Sequence, residues 1–307
     1  MLKSLTIATR ESPLALWQAE WVRKQLVVLY PELVVHVLGI ATRADKMLAT
    51  SLREIGGKGL FVKELEEALL VGRADVAVHS MKDMPMVFHP ELVVPVIGER
   101  QEVRDALVSN RYASWQTLPL HAVVGTSSLR RQSQLRHLRA DLVMHDLRGN
   151  VGTRLAKLDK EEFDAIVVAG VGLTRLNLEQ RIQGYFTTEQ MLPAAGQGAI
   201  GIECHQDRHD IMQLIAPLNH VVTATCVAAE RALCRHLDGN CRVPLAAYAV
   251  VQQGIIILRG MVANLDGSKM LQVQRQAALN QAEQLGLEVA DELLRQGARE
   301  ILREFLG

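Results

Sequence analysis

A chain of 307 residues is long enough for two or three domains with a large buried core. Its 34 Lys plus Arg balance 34 Asp plus Glu and only 4% of its residues are aromatic, so neither charge nor base stacking points to nucleic acid, an anionic membrane or another polyanion as partner. The first residues lack the apolar core and cleavage site of a signal peptide, and no run reaches the roughly 20 apolar residues of a spanning helix; the expectation is a soluble cytoplasmic protein without a membrane partner. Cys204, Cys226, Cys234 and Cys241 show no Cys-x-x-Cys spacing and read as free thiols rather than a disulfide framework.

In chain order, Leu5 to Ala8 reads as a buried strand, and Ser12-Pro13 then supplies a helix N-cap and first helical residue. Leu14, Trp17, Trp21 and Leu26 recur on one face of that helix at close to core-facing spacing. Arg10 falls beside the helix amino terminus, where an anion is favoured, although a surface arginine serves equally well there. A second strand, Leu33 to Leu38, leads through Asp45 to Gly56-Gly57-Lys58-Gly59, a loop open to close ligand approach but without the spacing of a Walker motif. A helix marked by Phe61, Val62, Leu65, Leu69 and Leu70 follows.

Val76-Ala77-Val78 is the next strand, and it ends in His79-Ser80-Met81-Lys82-Asp83-Met84-Pro85. Pro85 cannot donate to a sheet and pushes Met84 into extended backbone, so Ser80, Lys82 and Asp83 are expected in a loop at the carboxyl end of a parallel strand, the edge where open α/β sheets take ligands. A solvated Lys–Asp pair on a turn is the alternative. The alternation of strands and helices predicts parallel sheets with crossover helices.

After Val93 to Ile97, the charged run 98–104 is a candidate hinge. Strands at Ala106 to Val108 and Val123-Val124 precede Gly125-Thr126-Ser127-Ser128, whose hydroxyls and N–H groups at a helix start make an anion cradle. From Ser128 to Arg154 there are six arginines (Arg130, Arg131, Arg136, Arg139, Arg148, Arg154) against two acids (Asp141, Asp146). Several of them, with Arg175, fall near strand ends, where guanidinium forks grip carboxylates or phosphates; a solvated face is the alternative. The Gly- and Ala-rich segment 190–198 returns the chain to the first domain through a strand at Ala199 to Ile202, so that two half-sheets joined by two crossovers make a hinged clamp. Cys204-His205 and His209 invite a metal reading because two histidines four apart would share a helix face, but without a third convergent ligand a polar helix surface is the preferred reading; no metal site is assigned.

From His220 a helix, three alternating strands and a final helix without crossovers predict a small α+β domain. These readings divide the chain into an α/β domain of 1–98 with 198–216, a second of 104–192 and a third of 220–307. Cys241, beside Arg242 in the third, is either a nucleophilic thiolate or one more inert cysteine.

The segments Ala8-Thr9-Arg10-Glu11-Ser12-Pro13-Leu14, Gly56-Gly57-Lys58-Gly59, His79-Ser80-Met81-Lys82-Asp83-Met84-Pro85, Gly125-Thr126-Ser127-Ser128-Leu129-Arg130-Arg131, Arg148-Gly149-Asn150-Val151-Gly152-Thr153-Arg154 and Leu192-Pro193-Ala194-Ala195-Gly196-Gln197-Gly198 closely resemble the porphobilinogen deaminase family, in order and over essentially the whole chain. The chain departs at Asn240 and Arg242, where the family pattern has Gly and Gln. The resemblance implies two hinged, periplasmic-binding-protein-like doubly wound α/β domains plus a small α+β C-terminal domain. It implies a monomeric enzyme that condenses four porphobilinogen molecules head to tail into hydroxymethylbilane, releasing four ammonia, on a dipyrromethane cofactor joined by a thioether to Cys241. It also implies Asp83 as the catalytic carboxylate, and Ser80, Lys82, Asp83, Thr126, Ser127, Ser128, Arg130, Arg131 and Arg148 as cofactor contacts. Arg10, Gln18, Arg148, Arg154 and Arg175 would then handle the carboxylates of the substrate and of the growing polypyrrole chain. A non-catalytic hinged binding protein for a small dicarboxylate or phosphate shares the clamp and the arginines, but needs neither Cys241 nor a mass above that of its sequence.

Overall fold

The computed structural model describes residues 2–42, 62–239 and 243–306. Cys241, Asp45 and the Gly56–Gly59 loop lie outside them. The chain divides into two compact units, Met1–Gln101 with Gly198–Ala224 and Glu102–Gln197 with Thr225–Gly307.

Strand β1 (Ser4–Arg10), helix α1 (Pro13–Leu29), β2 (Val34–Ile40), α2 (Lys63–Leu70), β3 (Val76–Ser80) and β4 (Leu92–Ile97) open the first unit. Ser12 caps α1, its Oγ accepting from the Ala15 N–H at 3.4 Å, and Pro13 occupies the first turn, where its missing N–H costs nothing. The buried face of α1 is Ala15, Gln18, Ala19, Val22 and Leu26; of the expected stripe Leu26 lies on it, while Leu14, Trp17 and Trp21 each fall one position before it. Two alanines let the helix axis approach the sheet closely, while the bulkier Trp17 and Trp21 close the flanks of the core.

The second unit begins with β5 (Asp105–Val108), β6 (Val123–Gly125), α3 (Leu129–Leu138), β7 (Val143–His145), α4 (Val151–Asp159), β8 (Ala165–Ala169), α5 (Gly170–Thr174) and β9 (Ile182–Tyr185). The chain then returns through β10 (Ile200–His205) and α6 (His209–Ile215). Helix α7 (Val221–His236), β11 (Leu245–Gln252), β12 (Ile255–Ala263), β13 (Met270–Ala278), α8 (Ala282–Arg295) and α9 (Ala298–Leu306) complete it.

Two five-stranded sheets result, ordered β2-β1-β3-β10-β4 and β7-β6-β8-β5-β9, with a separate antiparallel sheet β11-β12-β13. Neither large sheet is wholly parallel. Strand β10 runs antiparallel to β3 and β4, and β5 antiparallel to β8 and β9. In both cases the reversed strand is the one that enters directly from the other unit, without a crossover helix to turn it round. The two sheets therefore share one topology, each with a reversed strand in its fourth place.

Continuous apolar strands Val76–Val78 and Ala165–Ala169 are covered on both faces, as parallel central strands require. His205 ends β10 and His209 begins α6, so the two histidines do not share a helix face. Among the described residues no cluster of three or more His, Cys, Asp or Glu could hold a metal. Helices α8 and α9 pack on the three-stranded sheet. The β12–β13 turn reaches α3: Arg136 donates to the Leu265 carbonyl at 2.8 Å, and Gly267, at φ +75°, sits where a Cβ would meet the His137 amide at 2.5 Å.

Candidate active site

In the first unit the site residues gather at the carboxyl ends of two adjacent parallel strands. Arg10 is the last residue of β1 and Ser80 the last of β3. Beyond Ser80 the chain makes a single 3₁₀ turn, Met81–Asp83, fixed by the Met81 N–H donating to the Ala199 carbonyl at 3.0 Å and the Met84 N–H to the Met81 carbonyl at 3.3 Å. Met81 and Met84 are buried, three residues apart, and act as two anchors. Lys82 and Asp83 between them are half-buried, in accord with the loop expected at a strand end. Gln18, buried on α1, donates to Ser80 Oγ at 2.7 Å and so joins helix and strand end.

Behind this edge His79 Nε2 lies 3.0 Å from Glu203 Oε2, with both side chains almost wholly buried. Burial and the Glu203 charge raise the carboxyl of Glu66 on α2 above its ordinary range. Glu203 was recognisable in the sequence only as an acid inside an apolar strand, which demands a buried partner.

In the second unit the residues follow the ends of β6, β7 and β8, which run parallel. Gly125 ends β6 because a Cβ there would approach the Phe163 ring to 2.8 Å. Ser127 Oγ donates to the Leu147 carbonyl at 3.0 Å, Gln132 Nε2 to the Thr126 carbonyl at 2.7 Å, and the Ser128 N–H to Thr126 Oγ1 at 3.3 Å. Ser128 precedes α3 but its hydroxyl makes no capping bond, so the helix start keeps its affinity for an anion. Arg148 and Gly149 (φ +108°) follow β7, and Asn150 caps α4 by accepting from the Thr153 N–H at 2.9 Å. Arg154 Nε donates back to the Gly149 carbonyl at 2.8 Å, and Arg148 lies 3.7 Å from Asp146. Arg175 caps α5 at 4% exposure; burial pushes its guanidinium down to about 10, so it stays charged at neutral pH.

The arginine bank thus divides by role. Arg139 pairs with Asp141 and donates to the Leu118 and Pro119 carbonyls, while Arg136 holds the β12–β13 turn. Arg130 and Arg131 point inward to a residue that reading the sequence missed, Asp105. Arg131 donates through Nε and Nη2 to Asp105 Oδ1 at 2.9 and 2.7 Å, and Arg130 Nη1 lies 2.8 Å from Oδ2. Burial opposes ionisation of Asp105, yet the two guanidinium charges outweigh it and hold the carboxyl well below the usual carboxylate range.

A depressed folded value contributes stability that is complete above the unfolded value of about 3.9 and is lost as pH falls through the folded one. Asp105→Asn is therefore expected to cost about 3–5 kcal/mol near neutral pH, because it strands two buried cations. The penalty should shrink on acidification, and melting temperatures of both proteins from pH 7 downward check it. A constant difference down to the most acid pH at which both fold would contradict the ion-pair reading.

Each of the two α/β sheets carries fixed cations and hydroxyls at its strand ends, the donor types that suit organic anions. Such a donor set fits a dipyrromethane, whose rings bear acetate and propionate groups, and Arg130 Nε is a buried donor with no acceptor among the described residues. The profile "Porphobilinogen deaminase, dipyromethane cofactor binding domain" matches residues 5–213, and "Porphobilinogen deaminase, C-terminal domain" matches 224–295.

The chain belongs to the porphobilinogen deaminase family. It is a transferase of tetrapyrrole biosynthesis that joins four porphobilinogen units head to tail into hydroxymethylbilane, with release of four ammonia, on a dipyrromethane cofactor. Solved structures similar to it include the Escherichia coli periplasmic aliphatic sulphonate binding protein SsuA (14% identity, 96% of this chain and 88% of that one, TM-score 0.43). A Burkholderia cenocepacia nutrient binding protein bound to methionine (13%, 69% and 90%, 0.44) and the Bordetella pertussis BvgS periplasmic VFT2 domain (14%, 70% and 86%, 0.41) are also similar.

Proposed function

We propose that Asp83 is the catalytic carboxylate of this reaction, that Cys241 carries the cofactor, and that the arginines divide the carboxylates of cofactor, substrate and product chain. The observation that carries the reading is the 81–84 turn, in which two buried methionines fix Asp83 and Lys82 at the end of β3 beside Arg10, Gln18 and Ser80. When bound, the cofactor supplies a free ring carbon as nucleophile. Asp83 faces the chemistry of the incoming substrate: the aminomethyl C–N bond breaks, ammonia leaves, and the methylene carbon becomes cationic until the new C–C bond forms and the ring gives up its proton. Lys82, Ser80, Thr126, Ser127, Ser128, Arg130, Arg131 and Arg148 hold the cofactor. Arg10, Gln18, Arg148, Arg154 and Arg175 take the carboxylates of substrate and lengthening chain.

We read three domains, 1–98 with 198–216, 104–192 and 220–307, which suit this division of labour; the three separate sheets support that reading. The same reading takes the enzyme as a monomer working in the cytoplasm. Peptide mapping tests the anchor: fully active enzyme is expected to yield the Cys241 peptide heavier by two pyrrole rings, and an unmodified Cys241 peptide from that material would overturn it.

A further inference from the structure

Asp105 is fully buried at the first residue of β5, and its carboxylate collects donors from two distant segments. Arg130 and Arg131 come from the start of α3, and Gln197 Nε2 donates to Oδ1 at 3.1 Å while also donating to the Val103 carbonyl at 2.6 Å. Arg130 Nη1 donates to the Leu192 carbonyl at 2.7 Å, and Gln134 both accepts from the Leu192 N–H and donates to its carbonyl. The segments so joined, 103–105 and 192–197, adjoin two of the three points where the chain passes between units.

Two guanidiniums against one carboxylate leave a net positive charge in dry surroundings, beside a helix start whose serine makes no capping bond. Without the carboxylate the like charges repel and lose their common orientation; with it they are set in advance for a second anion. We propose that Asp105 is a positioning residue for cofactor binding: it holds Arg130 and Arg131 ready for a carboxylate of the dipyrromethane and, through Gln197, ties that arrangement to the chain passages at 101–102 and 197–198. The proposal rests on Arg130 and Arg131 as cofactor contacts.

The test follows loading of full-length apoprotein, prepared in cells that make no porphobilinogen, by intact mass after porphobilinogen is added. Asp105→Ala is expected to gain the two-ring adduct about tenfold more slowly than the parent, and formate, filling the vacated carboxylate position, is expected to restore much of the rate. Asp105→Asn, which fills that position without charge, is expected to load slowly and ignore formate. Parental loading by either variant, or no response of Asp105→Ala to formate, overturns the proposal, because a purely structural role would alter melting and not formate-dependent loading. If Asp105→Ala does not fold, Gln197→Met decides: loading several-fold slower at a near-parental melting temperature supports the proposal, and parental loading overturns it. A parent that never gains the adduct, or Arg131→Gln loading like the parent, would instead remove the underlying reading of the cofactor contacts.

Discussion

Cofactor-loaded Asp83→Asn is expected to release ammonia in a single turnover roughly a hundredfold to a thousandfold more slowly than the parent, the effect of losing about 2.7–4 kcal/mol from one preorganised electrostatic partner. The substitution keeps the shape of the side chain. The turn that carries it is held by the Met81 and Met84 amides and by two buried methionines, none of which involves the carboxylate. Folding and cofactor attachment are therefore expected to survive. The charge is needed most when the methylene carbon has lost ammonia, so turnover should fall more than substrate binding. Nearby acids are otherwise engaged: Asp75 accepts from the Thr6 N–H at 2.8 Å and pairs with Arg208 at 3.0 Å, at the opening end of β3. A single-turnover rate within a few-fold of the parent would remove Asp83 from the chemistry.

Arg154→Leu, and separately Arg148→Leu, are expected to stall elongation at particular lengths rather than weaken every step alike. Each added ring brings two more carboxylates, so successive stages call on different cations. Losing one charge-assisted hydrogen bond removes about 1.5–3 kcal/mol, or roughly tenfold to more than a hundredfold at the step that needs it. Arg154 is tied back to the loop that Arg148 opens, through its bond to the Gly149 carbonyl, so the two should affect neighbouring stages. Intact mass of substrate-treated variants should show enzyme carrying discrete numbers of extra rings. A raised KM with no trapped species would refute the staged role.

What the sequence disclosed was mostly local. Ser12-Pro13 announced a helix start and the proline-terminated run at Val76–Pro85 announced a strand end, because each signal depends on backbone chemistry within a few residues. The tryptophan stripe misled because size is not what brings a helix close to a sheet; alanine is. The reversed strands β5 and β10 were hidden because strand direction depends on which unit the chain enters from. Asp105 was hidden for a related reason. The surplus of arginine between Ser128 and Arg154 is a tally along the chain, whereas the acid that balances two of them lies before that stretch and meets them only in the fold. His79 and Glu203 are 124 residues apart and meet only through the β3–β10 pairing.

Isotope labelling tests the central claim most directly, that this chain builds its product on a primer it keeps. After many turnovers with isotopically labelled porphobilinogen, all four rings of the product are expected to carry label while the two-ring adduct on the enzyme stays unlabelled. Label entering the adduct in step with turnover would show that the bound rings leave with the product, and would contradict it.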